Sequence, residues 1–359
     1  MPRRDEGAET PAARVACIGE SMAVLLPDVP GPLEGVGSFA VSVGGAESNV
    51  ACALSALGVP SAWVSRVGDD GFGRRLTREL AARGVDTSGV IVDPVLPTGL
   101  YLKETNSSGS SKPHYYRKGS AASAMAAAML DQPAVGRLLG GAQVIHLTGI
   151  TPALSDSCLA MVRAVLAAPR AGRLVSFDLN WRPMLWRDRD PAVLRELVNA
   201  ADIALLGADE AEVVFGTGDP GELRKLFPGP GTIVVKDDER VVTALSADGA
   251  AVAEAALTVE VVEPTGAGDA FAAGYLAGTL RGFDQRRRLR LGHLAAASAL
   301  VAHGDMGELW SAELVDALLE APEEQWNTTR ITAGGIVAGE RVADSDAASG
   351  SAADAERIP

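Results

Sequence analysis

In the string Pro264-Thr265-Gly266-Ala267-Gly268-Asp269-Ala270-Phe271, small residues that can approach an anion stand directly before a lone carboxylate. The Ala-rich residues that follow, Phe271 to Gly278, predict a helix, and Leu257-Thr258-Val259-Glu260-Val261-Val262 upstream predicts a strand. The glycines then lie at a helix N-terminus, where backbone N–H groups lack intrahelical partners and the macrodipole is positive, a setting that favours phosphate. Asp269 falls in the first turn beside such an anion. A carboxylate there opposes ground-state binding of phosphate but can accept the proton of an attacking hydroxyl, the chemistry of phosphoryl transfer. Taken alone, the string also allows a plainer reading, in which the glycines permit close packing and Asp269 caps the helix.

The string resembles the signature of the ribokinase-like carbohydrate kinases, the PfkB family. The resemblance implies that Asp269 is the catalytic base and that the amides of Gly266, Ala267 and Gly268 form an anion hole. A second stretch, Val43-Gly44-Gly45-Ala46-Glu47-Ser48-Asn49, leads into a helix expected from Ser48 to Leu57, with Val50, Ala53, Leu54 and Leu57 as its apolar stripe and Gly58 and Pro60 ending it. It resembles the other signature of the family, which implies that Gly44 and Gly45 let a sugar lie against backbone and that Asn49 binds its hydroxyls. Gly19-Glu20-Ser21 resembles the family's opening segment and implies a sugar contact for Glu20, although a solvated loop residue fits the sequence as well.

The elements needed to position these residues alternate along the chain. Apolar strand-like runs such as Val15 to Ile18, Val144 to Leu147, Leu174 to Asp178, Ile203 to Leu206 and Thr232 to Lys236 are separated by helix-like segments. Repeated βα units with apolar strands imply an α/β fold with a mainly parallel central sheet and helices on both faces, and ligands gathered beyond the C-terminal strand ends. Residues 20–43 and 90–117 are strand-rich without a helix. They resemble the small β-sheet lid of the family, which implies closure over the sugar and a homodimer formed through the lid. The expected kinase domain covers residues 14–320, with flexible tails at 1–13 and 333–359.

Composition narrows the function further. The 359 residues are 47% hydrophobic and carry a net charge of −14, which argues against nucleic acid as the main partner. Neither a membrane-length apolar run nor a signal-type segment is seen, so a cytoplasmic protein is expected. Cys17, Cys52 and Cys158 each sit in apolar sequence and predict buried free thiols. The basic run Arg286-Arg287-Arg288-Leu289-Arg290 opens an expected helix and reads as a solvated face. With no Gly-Lys-Ser/Thr in the chain, any phosphate grip must be built without a P-loop.

Arginine placement bears on the substrate. His114-Tyr115-Tyr116-Arg117-Lys118-Gly119-Ser120 and Asn180-Trp181-Arg182-Pro183-Met184-Leu185-Trp186 resemble segments of 2-keto-3-deoxygluconate kinases. The resemblance implies that Tyr115, Arg117 and Arg182 grip the acid and keto end of a sugar acid. A guanidinium pairs with a carboxylate through two charge-assisted hydrogen bonds, which a neutral hexose does not need. The plainer alternatives are a lid-surface Arg117 and an Arg182 paired with Asp178 or Asp188. Strand alternation lets only one of Tyr115 and Tyr116 face the sugar.

The resemblance also implies that Glu210 holds hydrated Mg²⁺, although Gly207 stands where the family has Asn. Lys236 and Gly304 are the remaining ATP-side candidates, and the acids Asp237, Asp238 and Glu239 would repel nucleotide phosphate unless they turn outward. The expected reaction transfers phosphate from ATP to the 6-hydroxyl of 2-keto-3-deoxy-D-gluconate. The rivals are a fructokinase, ribokinase or other sugar kinase, and a sugar-acid sensor that has lost catalysis.

Overall fold

The computed structural model describes residues 13–105, 111–302, 307 and 310–337. Its strands are β1 (Val15–Ile18), β2 (Met22–Pro27), β3 (Phe39–Gly44), β4 (Ser61–Gly68), β5 (Val90–Asp93), β6 (Leu100–Thr105), β7 (Ser111–Tyr116), β8 (Val144–Thr148), β9 (Leu174–Asp178), β10 (Ile203–Gly207), β11 (Thr232–Asp237), β12 (Val241–Ser246), β13 (Ala251–Ala255), β14 (Thr258–Val259), β15 (Arg330–Thr332) and β16 (Gly335–Val337). Nine of them form one sheet in the order β13-β12-β11-β10-β9-β8-β1-β4-β5, parallel from β5 to β11 and antiparallel at the β12–β13 edge. Every residue of β1, β8 and β10 is buried, as parallel strands covered on both faces require.

Side-chain alternation divides the core. Ala16 and Ile18 of β1 pack with Val162, Leu194 and Leu197 on one face. Val15 and Cys17 pack on the other face with Leu54, Tyr275 and Leu294, which come from helices Ala46–Ala56, Ala267–Leu280 and Gln285–Leu300. The chain leaves β1 toward β4 and β5, then crosses back to β8 and onward to β11. This reversal beside β1 opens a crevice at the strand ends.

A separate four-stranded sheet, β3-β2-β6-β7, forms the lid. Its second half begins at Leu100 and not at Val90, because β5 runs parallel to β4 as the edge of the large sheet. The tail boundary also moves. Gly335–Val337 pairs with β15, and Trp326, fully buried, donates its indole N–H to the carbonyl of Ala255 at 2.8 Å. Described residues beyond 320 therefore pack on the domain. Of the expected strand Leu257 to Val262, only Thr258–Val259 is a strand, and it belongs to the small β14-β15-β16 sheet.

The basic run is consumed by structure. Arg286 and Arg287 pair with Glu254, Glu323 and Glu320, and Arg290, 1% exposed, hydrogen-bonds Glu254 and lies over the Trp326 ring. The three cysteines are free and buried. Among the described residues no helix is long and apolar enough to cross a membrane.

Candidate active site

The glycine string forms the helix start expected of it. Gly266 is the N-cap of Ala267–Leu280 at φ +85°, a left-handed conformation that glycine adopts without a Cβ clash, so the chain turns sharply and Asp269 enters the crevice. Asp269 is 9% exposed. Two amides hold its carboxylate: Asn49 Nδ2 donates to Oδ2 at 2.9 Å, and Asn180 Nδ2 donates to Oδ1 at 3.2 Å. Burial pushes the carboxyl up to about 7. The Asn49 hydrogen bond opposes that rise, Asp178 adds to it, Arg182 opposes it and Glu47 adds to it. A carboxyl near 7 is suited to take a proton at neutral pH.

Behind Asp269, Lys236 Nζ on β11 lies 2.8 Å from Asp178 Oδ2 at the end of β9. Burial disfavours the ammonium, but Asp178 and Glu210 outweigh it and raise the lysine. Lys236, Glu210, Pro264 and Gly268 border two cavities at once. One, about 440 Å³, contains Asp269, Asn180, Arg182, Thr265, Gly266 and Tyr115. The other, about 480 Å³, has the apolar walls Leu257, Val259, Phe271, Ala297 and Leu300, with Asp238 and Glu239 at its border. A polar chamber holding a buried carboxylate thus meets an apolar slot of the kind that accepts a flat heterocycle. Their junction lies at Gly268, where among the described residues an added Cβ would meet only Lys236 Nζ, at 3.8 Å.

On β7, Tyr115 is 44% exposed and borders the polar chamber, and Tyr116 is 64% exposed. The lid arginine is differently placed. Arg117 Nε donates to Glu20 Oε2 at 2.7 Å, Ser120 Oγ donates to Glu20 Oε1 at 2.7 Å, and Glu20 is 1% exposed. Two residues expected to meet the sugar therefore meet each other, which neutralises the Arg117 charge. Arg182 is half exposed, and its Nη1 is 3.5 Å from Glu210 Oε1. Asp178, one of its alternative partners, belongs to Lys236.

Glu210 Oε1 also accepts the N–H of Trp181 at 3.0 Å, and its carboxyl is pushed up to about 7 by burial and by Asp178, against Lys236 and Arg182. A hard oxygen donor between the two cavities fits a hydrated Mg²⁺ carried on nucleotide phosphate. At Gly207 a Cβ would lie 3.0 Å from Asp209 Oδ1 and 3.1 Å from Glu210 Oε2, so glycine leaves that space to Glu210.

Of the acidic run, Asp237 turns to Arg240 at 2.8 Å, whereas Asp238 and Glu239 border the apolar slot. Gly45 is required by packing, because a Cβ there would lie 2.3 Å from the Glu20 carbonyl oxygen. Gly44 is the buried end of β3, and Gly304 lies outside the described residues.

Three residues without a role assigned from sequence belong to this site. Asp178 and Asn180 lie at and just past the end of β9, where position alone could have marked them. Glu47 is fully buried, and the hydroxyls of Thr148 and Thr151 donate to its Oε1 at 2.8 and 2.7 Å. A glutamate in a first helical turn reads from sequence as a solvated partner of the dipole, so nothing marked it.

Comparison with known proteins identifies the family. Residues 12–312 match the model of the pfkB family carbohydrate kinases. The chain is 37% identical to a 2-dehydro-3-deoxygluconokinase of Thermoproteus tenax, over 89% of this chain and 98% of that one. It is 34% identical to the 2-dehydro-3-deoxygluconokinase of Bacillus subtilis, over 84% and 94%. An uncharacterized sugar kinase of Pyrococcus horikoshii in complex with ATP superposes with a TM-score of 0.73 at 26% identity, covering 86% of this chain and 98% of that one. With the ribokinase-like sheet, the lid and the glycine-led carboxylate in one molecule, the chain belongs to the pfkB family of carbohydrate kinases.

Proposed function

We propose that this kinase transfers the γ-phosphoryl group of ATP to the 6-hydroxyl of 2-keto-3-deoxy-D-gluconate, with Asp269 as general base. The observation that carries the reading is the polar chamber, where a buried carboxylate near its working pKa and the half-exposed guanidinium of Arg182 border one space, with Tyr115 on the lid side. A sugar acid can extend from one to the other. Asp269 takes the hydroxyl proton as that oxygen bonds to the γ-phosphorus and the bond to the bridging oxygen breaks, releasing ADP. The amides of Gly266, Ala267 and Gly268, with the Lys236 ammonium, stabilise charge on the group in transit. When bound, Mg²⁺ held through water by Glu210 would neutralise nucleotide phosphate charge. The 2-dehydro-3-deoxygluconokinases among the relatives favour the same acceptor.

The test measures ADP formation from Mg²⁺-ATP with 2-keto-3-deoxygluconate, its galacto epimer, gluconate, fructose and ribose. Asp269→Asn should lower kcat by about 10³-fold, and near-wild-type turnover would remove Asp269 as the base. Arg182→Ala should raise KM for the keto acids about tenfold and leave neutral sugars unchanged, the effect being moderated by solvent exposure. The pairing of Arg117 with Glu20 supports a second reading, phosphorylation of a neutral hexose, because it leaves fewer free cations for an acid. Turnover of fructose above the keto acids would decide for that reading.

A further inference from the structure

Asn180 is set in the site more tightly than a loop asparagine needs to be. It follows β9 with φ +38°, in the left-handed region that few residues other than glycine adopt, and is 6% exposed. Its backbone N–H donates to Asp178 Oδ1 at 3.2 Å, and Asp178 Oδ2 is held by Lys236 at 2.8 Å. This chain of contacts fixes the backbone from which the amide reaches Asp269.

The amide itself is half used. Nδ2 donates to Asp269 Oδ1, whereas the carbonyl Oδ1 is buried with no hydrogen-bond partner among the described residues, in a residue that borders the polar chamber. A flipped amide would set oxygen against a carboxylate oxygen, so the orientation follows from the contact. An unpaired buried acceptor is costly, and a hydroxyl donor entering the chamber removes that cost. With Asn49 on the opposite oxygen of Asp269, the carboxylate is gripped from two elements far apart in sequence.

We propose that Asn180 is a positioning residue for Asp269, its N–H orienting the carboxylate in the ionised form and its free carbonyl accepting a hydroxyl of the bound sugar. The assignment rests on Asp269 being the base. Asp178, Glu47, Arg182 and Lys236 are the charged groups facing Asp269, and all remain when Asn180 is replaced.

The experiment uses Asn180→Gly, which keeps the left-handed backbone accessible, and Asn180→Asp, which keeps the shape but replaces the donor with a carboxyl. Carboxyl ¹³C resonances of labelled aspartate are titrated in the ligand-free protein, Asp269 being identified by its loss in Asp269→Asn. Losing the donor should raise the Asp269 pKa by about one unit in Asn180→Gly and by more in Asn180→Asp. In turnover with the best acceptor of the panel, kcat should fall about tenfold or more, acceptor KM should rise severalfold, and KM for ATP should stay within about twofold.

An unchanged Asp269 titration in both variants would overturn the clamp, and an unchanged acceptor KM would remove the hydroxyl contact. Failure of the base reading is separate. It would show as turnover by Asp269→Asn, whereas the resonance shift reports the Asn180 contact without any substrate.

Discussion

Two glycine-led helix starts converge on one carboxylate, and they use glycine for opposite purposes. In Gly44-Gly45-Ala46 the helix backs onto the strand-end segment Glu20–Ser21, where a Cβ at Gly45 would lie 2.3 Å from a carbonyl oxygen and 2.7 Å from the Ser21 Cα. The space is already filled by protein. In Gly266-Ala267-Gly268, Gly266 supplies the positive φ that starts the helix, and Gly268 faces the junction of two cavities, with only Lys236 among the described residues near its missing side chain. That space is left open. Sequence alone presents both as Gly-rich helix starts, and only the surroundings separate a packing glycine from a cavity-facing one.

Alanine at each position gives the sharpest test of this difference. Gly268→Ala should leave stability unchanged or slightly raised, since alanine is the better helix former, while the new methyl intrudes where phosphate would lie and lowers kcat/KM for ATP by about 10- to 100-fold. Gly45→Ala should do the reverse, forcing apart backbone that has no room to yield, at a cost of about 1–3 kcal/mol and a Tm loss of a few degrees. Thermal melts and ATP kinetics on the two proteins decide the matter. The contrast breaks if Gly268→Ala melts as early as Gly45→Ala, or if the two lose ATP affinity alike.

The legible parts of this molecule were those encoded locally. The helix start at the Gly-Ala-Gly-Asp string and the alternation of apolar strands with helices each depend on neighbouring residues, and the α/β architecture follows from them. What required distant partners was hidden. Val90–Asp93 has the composition of a lid strand, and only pairing with β4 puts it in the large sheet. Glu20 and Arg117 each look able to touch a ligand, but an ion pair across 97 positions joins them. Asn180 and Glu47 stand in family-like segments that gave neither a role, and their importance comes from burial beside Asp269 and against the hydroxyls of Thr148 and Thr151. Trp326 and Ile331 lie beyond the expected domain end at 320 yet are fully buried, because the stretch between that end and the expected tail still supplies side chains to a core built elsewhere.

The two helix starts meet in one hydrogen bond, from Asn49 to Asp269, and its opposition to burial sets the smallest expected effect. If Asp269 is the base, as proposed, it must be ionised to act, so kcat/KM should climb through about pH 7 and fall tenfold per unit well below it. Stability should run the other way. In the unfolded chain Asp269 titrates near 4 and in the folded protein near 7, so between those values the native state binds the extra proton. Its contribution is fully present below about pH 4 and is lost as pH rises through 7. Glu210, pushed up to about 7 by the same burial, follows the same sign. Asp269→Asn cannot titrate, so its Tm relative to wild type should improve by a few degrees from pH 5 to pH 8 while its activity stays negligible across that range. A Tm difference that does not vary with pH would mean that Asp269 is already ionised in the fold near pH 5, its hydrogen bonds outweighing burial. A difference that grows would mean that the fold gives up stability at neutral pH to keep a base where phosphate must also sit.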